Sequence, residues 1–261
     1  MSDLFSLAGR TALVTGGSRG IGAAIAAEFL NAGARVIVCA RKAPELEAAV
    51  ERLSGLGSCE GVPADLSTVA GADALAADVA RRTDRLDVLV NNAGATWGAP
   101  IGEYPEDGWD KVMSVNVKAM HYLTSACLPL LRAAATPDDP ARVINIGSID
   151  GMNAPITENY AYSASKAAVH QLTRHLARRL APEHILVNAI APGMFESKMT
   201  AFIANEPAIA EAANAMIPLK RMGRPEEIGG SAVYLASRAG GYTTGEVLIV
   251  DGGRTGAGRA D

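Results

Sequence analysis

Cysteine is scarce: the 261 residues hold three, Cys39, Cys59 and Cys127, scattered through apolar stretches. An odd and dispersed set offers no disulfide framework, so these read as buried free thiols of a reducing compartment. The first residues, Met1-Ser-Asp-Leu-Phe5, carry an acid early and run within ten residues into a strand, unlike a signal peptide, and a cytoplasmic protein is expected. Histidine is equally sparse, and His121, His170, His175 and His184 neither pair at i, i+4 nor sit beside cysteines, so no protein-ligated metal is expected. No uninterrupted apolar run approaches the roughly 18 residues that span a bilayer. Positive charge is also short: a net charge of -4 leaves no broad basic field for nucleic acid or an anionic membrane. A small-molecule partner is what remains.

What is present, 49% apolar and 20% charged residues, suits one α/β domain spanning 1–261. Thr11–Thr15 is a short apolar strand. Gly16-Gly-Ser18-Arg19-Gly20-Ile21-Gly22 then turns into a helix expected over residues 23–30. Glycines there let backbone approach a pyrophosphate, which sits on the free N–H groups at the helix start. The spacing is Gly-x-x-x-Gly-x-Gly, looser than the Gly-x-Gly-x-x-Gly fingerprint.

A second strand over 34–40 ends at Arg41 and Lys42. No Asp or Glu occurs between Glu28 and Glu45 to hold a ribose 2′-hydroxyl, whereas Arg41, with Arg19 closing from the glycine loop, suits a 2′-phosphate. The cofactor expected is NADP(H). A third strand over 58–62 leads to Asp65-Leu66, where the carboxylate meets an adenine edge or caps the next helix. A fourth over 86–90 leads to Asn91-Asn92-Ala93-Gly94, with Asn91 expected on the ligand rim.

Residues 105–131 read as one long helix. Asn116 lies within its apolar stretch, so its amide should have a specific partner. A polar loop over 133–141 precedes a fifth strand, 142–146, which ends at Ser148, where a hydroxyl can meet a substrate oxygen. Tyr162 and Lys166 follow on a helix running to about residue 180. Four apart, they share a face, and the ammonium should lower the phenol pKa toward working pH for proton transfer. Tyr160 has Ala164 as its i+4 partner and cannot make that pair.

A sixth strand over 185–191 ends in Pro192-Gly193. The connection 194–218 is rich in apolar side chains and reads as a substrate lid or as core packing. A helix at Pro225–Ala236, a seventh strand over 246–250 and a loose tail over 254–261 complete the chain.

With these pieces in order the chain resembles the short-chain dehydrogenase/reductase family over about residues 5–253. The matching stretches are Thr15-Gly-Gly-Ser-Arg-Gly-Ile-Gly22, Asn91-Asn-Ala-Gly94, Asn116, Ser148, Tyr162-x-x-x-Lys166, Pro192-Gly193 and Val250-Asp-Gly-Gly253. The resemblance implies a Rossmann fold with a seven-stranded parallel sheet and helices on both faces. It makes Tyr162 the proton donor and Ser148 the holder of the carbonyl oxygen. Lys166 tunes Tyr162 and holds the nicotinamide ribose, and Asn116 anchors a water that relays protons to Lys166. Ser197 stands where family members commonly place a threonine against the nicotinamide amide. Assembly as a tetramer or dimer is likewise implied.

Phe5-Ser-Leu-Ala-Gly-Arg10, Thr96-Trp97-Gly98 and Trp109 with Lys111-Val-Met look similar to NADPH-dependent 3-oxoacyl reductases, particularly the rhamnolipid-pathway branch. That likeness sets Trp97, Asp150, Met194, Phe195 and Met199 beside the substrate. Arg132 and Arg174 fall where such enzymes dock a carrier protein, though a solvated helix surface explains them equally. The expectation is ketone reduction on a 3-oxoacyl thioester. A sugar, polyol or steroid alcohol dehydrogenase and a non-catalytic NADP-binding sensor are the rivals.

Overall fold

Each stretch read as a strand is one, and most end where glycine, proline or an amide turns the chain. A computed structural model describes residues 3–195 and 207–256. The strands are β1 (Thr11–Thr15), β2 (Arg35–Ala40), β3 (Cys59–Pro63), β4 (Val88–Asn91), β5 (Ala141–Ile146), β6 (Ile185–Pro192) and β7 (Val247–Val250). They form one sheet of order β3-β2-β1-β4-β5-β6-β7, and every pairing is parallel. Parallel strands are covered on both faces, which is why β1 and β6 are buried at every position and are mostly apolar.

The helices are α1 (Gly20–Asn31), α2 (Ala43–Ser54), α3 (Val69–Ala80), α4 (Glu106–Met113), α5 (Ala119–Ala134), α6 (Tyr160–Leu180), α7 (Pro207–Ala215) and α8 (Pro225–Ala236). Successive strand residues face opposite layers. Val14 and Val36 pack with Ile25 and Phe29 of α1 and Ile228 of α8, while Leu13 and Ile37 pack with Leu75 of α3 and Leu123 of α5. The strand order reverses between β1 and β4, which opens a crevice beyond the carboxyl ends of the strands.

Four local features depart from the reading of the sequence. The helix expected over 105–131 carries a π-helical turn, Ser114–Lys118, between α4 and α5, and Asn116 lies in it. Helix α1 begins at Gly20, so Gly20 and Gly22 lie within its first turn. Thr68, not Asp65, caps α3 by accepting the Gly71 N–H, while Asp65 takes the N–H of Ser67. The start of the supposedly loose tail is tied down, because Asp251 accepts the N–H groups of Gly253 and Thr255 and the Thr255 hydroxyl. Residues 257–261 lie outside the described residues, as does 196–206 within the expected lid.

Candidate active site

A cleft of about 610 Å³ opens at the carboxyl ends of the strands. Its floor at one end is the turn from β1 into α1. Gly16 sits at φ +64°, a conformation that favours glycine. A Cβ on Gly22 would lie 2.4 Å from the Gly16 carbonyl oxygen, so the loop folds back on itself only with glycine there. Thr15 holds this loop to β4: its hydroxyl accepts the N–H of Asn92 at 2.8 Å and of Ala93 at 2.9 Å. The Asn92 amide donates to the carbonyls of Thr15 and Gly16 at 2.8 and 3.2 Å. The result is a concave backbone at a helix N-terminus, a cradle for phosphate.

The adjoining wall is cationic. Arg19, Arg41 and Lys42 line it, with Glu45 among them. Across from them Asp65 is held below the usual carboxylate range, chiefly by its hydrogen bonds to Ser67 and further by the charge of Arg41. The donors and the glycine cradle fit a dinucleotide bearing a 2′-phosphate.

The other end carries the polar side chains of β5 and α6. Tyr162 and Lys166 stand side by side as their spacing requires, with Lys166 Nζ 5.5 Å from the centre of the Tyr162 ring. The buried ammonium donates to the Ile146 carbonyl at 2.7 Å. Ser148 accepts the Asp150 N–H at 3.1 Å, and its hydroxyl lies near enough to Tyr162 to act on the phenol. Asn116 has the specific partners its position demands: it accepts the Ala95 N–H at 2.7 Å and donates to the Ala95 carbonyl at 3.0 Å and to Ser165 Oγ at 2.9 Å. These bonds lock the cleft loop after β4 to both the π turn and α6.

The electrostatics correct one expectation. Burial pushes the Tyr162 phenol up to about 12; the neighbouring Ser148 hydroxyl opposes this and the charge of Asp150 adds to it. Lys166 moves the other way, down to about 8, because burial disfavours its ammonium. Sequence spacing led us to expect a lowered phenol. The lysine's charge is instead spent on the Ile146 carbonyl, and the cost of burying a phenolate dominates. At neutral pH Tyr162 is therefore a phenol, the form that donates a proton.

The cleft is lined by Gly16, Ser18, Arg19, Gly20, Ile21, Arg41, Asp65, Leu66, Asn92, Ala93, Gly94, Ser148, Asp150, Tyr162, Lys166, Pro192, Gly193, Met194 and Phe195, all marked in the sequence. Gly22 and Asn116 stand behind that lining as supports. Asn91 is not on the rim: it is buried, donating to Thr124 and Asn145 at 3.0 and 2.9 Å beneath β4. Trp97 is not among the lining residues either, because its ring packs on Gly108 of α4 and under Lys111. Ser197 and Met199 lie outside the described residues. Arg132 is paired with Glu183 at 2.6 Å.

Reading the sequence missed Ile156 and Arg254 in the lining, and His170, whose buried ring abuts Gly147 behind Ser148; Met216 reaches the lining from the expected lid. Only His170 carried a usable signal, as the i+4 neighbour of Lys166. Ile156 and Arg254 reach the cleft from loops that no local pattern places there.

Fold and cleft together define a Rossmann-type dinucleotide-binding protein with a Ser-Tyr-Lys group at its reacting end. The chain belongs to the short-chain dehydrogenase/reductase family. Residues 16–255 match the family profile described as Enoyl-(Acyl carrier protein) reductase. The chain is 54% identical, over 97% of its length and 99% of the relative's, to the rhamnolipids biosynthesis 3-oxoacyl-[acyl-carrier-protein] reductase of Pseudomonas aeruginosa. It is 36% identical to the 5-keto-D-gluconate 5-reductase of Escherichia coli over 97% and 98% of the two chains. Among solved structures, the Pseudomonas aeruginosa RhlG/NADP active-site complex superposes with a TM-score of 0.96 at 54% identity, covering 97% of this chain and 99% of that one.

Proposed function

We propose that this chain is an NADPH-dependent reductase that converts a ketone to a secondary alcohol, with a 3-oxoacyl thioester of acyl carrier protein or coenzyme A as substrate. The observation that carries the reading is the grouping of Ser148, Tyr162 and Lys166 at one end of a cleft whose other end is cationic. The likeness to a 3-oxoacyl reductase over nearly the whole of both chains supports it. The exposed Ile156 and Met216 give the cleft an apolar mouth suited to an acyl chain.

NADPH, when bound, supplies the hydride; the protein supplies orientation and charge. The glycine turn and the N-terminus of α1 would take the pyrophosphate, Arg41 with Arg19 the 2′-phosphate, and Asp65 the adenine edge. Ser148 donates a hydrogen bond to the ketone oxygen and fixes it beside Tyr162. As negative charge grows on that oxygen, Tyr162 gives up its proton to it. Lys166 would hold the ribose hydroxyls of the nicotinamide half. A Cβ on Gly94 would lie 3.4 Å from Asn116 Oδ1 and 3.9 Å from Lys166 Nζ, so these two polar groups flank one point, where a water can return a proton to the lysine. Met194, Phe195 and Met216, from the described ends of the expected lid, would cover the acyl chain. Assembly through the long helices of the fourth and fifth crossovers, α5 and α6, with Tyr122 exposed on α5, gives a homotetramer, and the free thiols suit the cytoplasm.

Mixing protein, NADPH and a short 3-oxoacyl thioester and following cofactor absorbance tests this. Turnover of the thioester is expected. Turnover of sugars or polyols alone would transfer the assignment to that class, and no turnover of any carbonyl would favour a sensor.

A further inference from the structure

We propose that Glu45 is a specificity-determining residue, an internal carboxylate that competes with the 2′-phosphate of NADPH and keeps the site usable by NADH. This rests on the cofactor reading above. Along the sequence the end of β2 has no acid, which is the basis for expecting a phosphate there. Helix α2 returns one: its first turn brings Glu45 back to the same wall of the cleft. One carboxylate oxygen lies 2.7 Å from Arg19 Nη1 and the other 3.0 Å from Lys42 Nζ.

The two cations come from different loops, the turn after β1 and the turn after β2, and Glu45 joins them with one oxygen each. Arg19 is one of the two donors assigned above to the 2′-phosphate, and Lys42 adjoins the other, Arg41. The helix end favours the carboxylate as well, since the side chain of the N-cap residue Lys42 makes no capping bond and an acid in the first turn meets the positive end of the helix dipole. With a side chain 37% exposed, Glu45 is held by exchangeable surface pairs rather than by burial. A 2′-phosphate, with more charge, draws Arg19 away from Glu45 but must do so beside a like-charged group. A ribose 2′-hydroxyl has no such conflict and can donate to the carboxylate, as it does to acids at this point of the fold.

The two cofactors should therefore respond with opposite sign to loss of the charge. Kd values for NADPH and NADH are measured by cofactor fluorescence titration, without substrate, in the unmodified protein and in Glu45→Gln. NADPH should bind about fivefold more tightly to the variant, the factor that one unit-charge contact of surface strength corresponds to. NADH should bind more weakly, and the NADPH gain should shrink at high salt. Weaker NADPH binding in Glu45→Gln would overturn the proposal by making the carboxylate a brace for Arg19, and unchanged Kd values for both would overturn it by reducing Glu45 to a surface pair. The unmodified protein tests the cofactor reading separately: tighter binding of NADH than of NADPH there would sink that reading whatever the variant does.

Discussion

Lys166 Nζ on α6 is hydrogen-bonded to the carbonyl oxygen of Ile146, the last residue of β5, at 2.7 Å. Ser148 lies two residues beyond that carbonyl and Tyr162 one helical turn before that lysine. Both reacting hydroxyls are thus referenced to a single strand end. Since burial brings Lys166 down to about 8, it is a cation at neutral pH and loses that charge as the pH rises through about 8. The value of kcat/KM for thioester reduction should bend downward near that pH. A profile flat to pH 10 would detach the lysine from the reaction.

Gly147 sits between those two anchors, and its lack of a side chain is enforced from behind. A Cβ there would fall 2.2 Å from His170 Nε2. Gly147→Ala should cost about 1–3 kcal/mol of stability through overpacking and lower kcat by shifting Ser148. Adding His170→Ala should restore part of both, since the two positions touch. Additive losses in urea melts of the double variant would place the strain elsewhere.

His170 itself predicts acid sensitivity. Burial, aided by the nearby charges of Lys166 and Arg174, lowers its pKa from 6.5 to about 4. The unfolded chain therefore binds a proton between those values that the folded chain does not, and the stability this group protects is lost as pH falls from about 6.5 to 4. Melting temperatures of His170→Leu should fall less steeply across that window than those of the unmodified protein. Parallel curves would show that other groups govern the loss.

The thiols should be inert while the chain is folded. Burial raises Cys39 and Cys127 to about 12, and Cys59, with Glu60 beside it, to about 11. Thiolate, the reactive form, is then negligible at pH 8. Iodoacetamide should leave the native protein unlabelled and modify all three cysteines in urea. Rapid native labelling would contradict their burial.

How much could be read from residues alone divides along a physical line. Strands such as Thr11–Thr15 follow from continuous apolar runs, and the Tyr162–Lys166 pair follows from helical spacing, because both are local. The π turn at Asn116 was foreshadowed only as an amide needing a partner, since the demand came from Ala95 and Ser165, which lie far away in sequence. Asn91 was misplaced for a related reason: its partners Thr124 and Asn145 are on other elements. The direction of the Tyr162 shift was misjudged because burial, a property of the assembled fold, outweighs the adjacent charge. Glu45 entered the reading of the sequence only as the end of the acid-free stretch, because its pairing with Arg19, on the turn after β1, is not local.

The most direct test of the central claim is Tyr162→Phe, which removes one hydroxyl and keeps the ring beside Lys166. With the tyrosine as proton donor, NADPH should bind within about twofold of the unmodified protein while the reduction rate falls by about 10²–10⁴-fold, the usual worth of a positioned acid. A rate within a few-fold of the original, or a loss of NADPH binding that accounts for the whole decline, would contradict it.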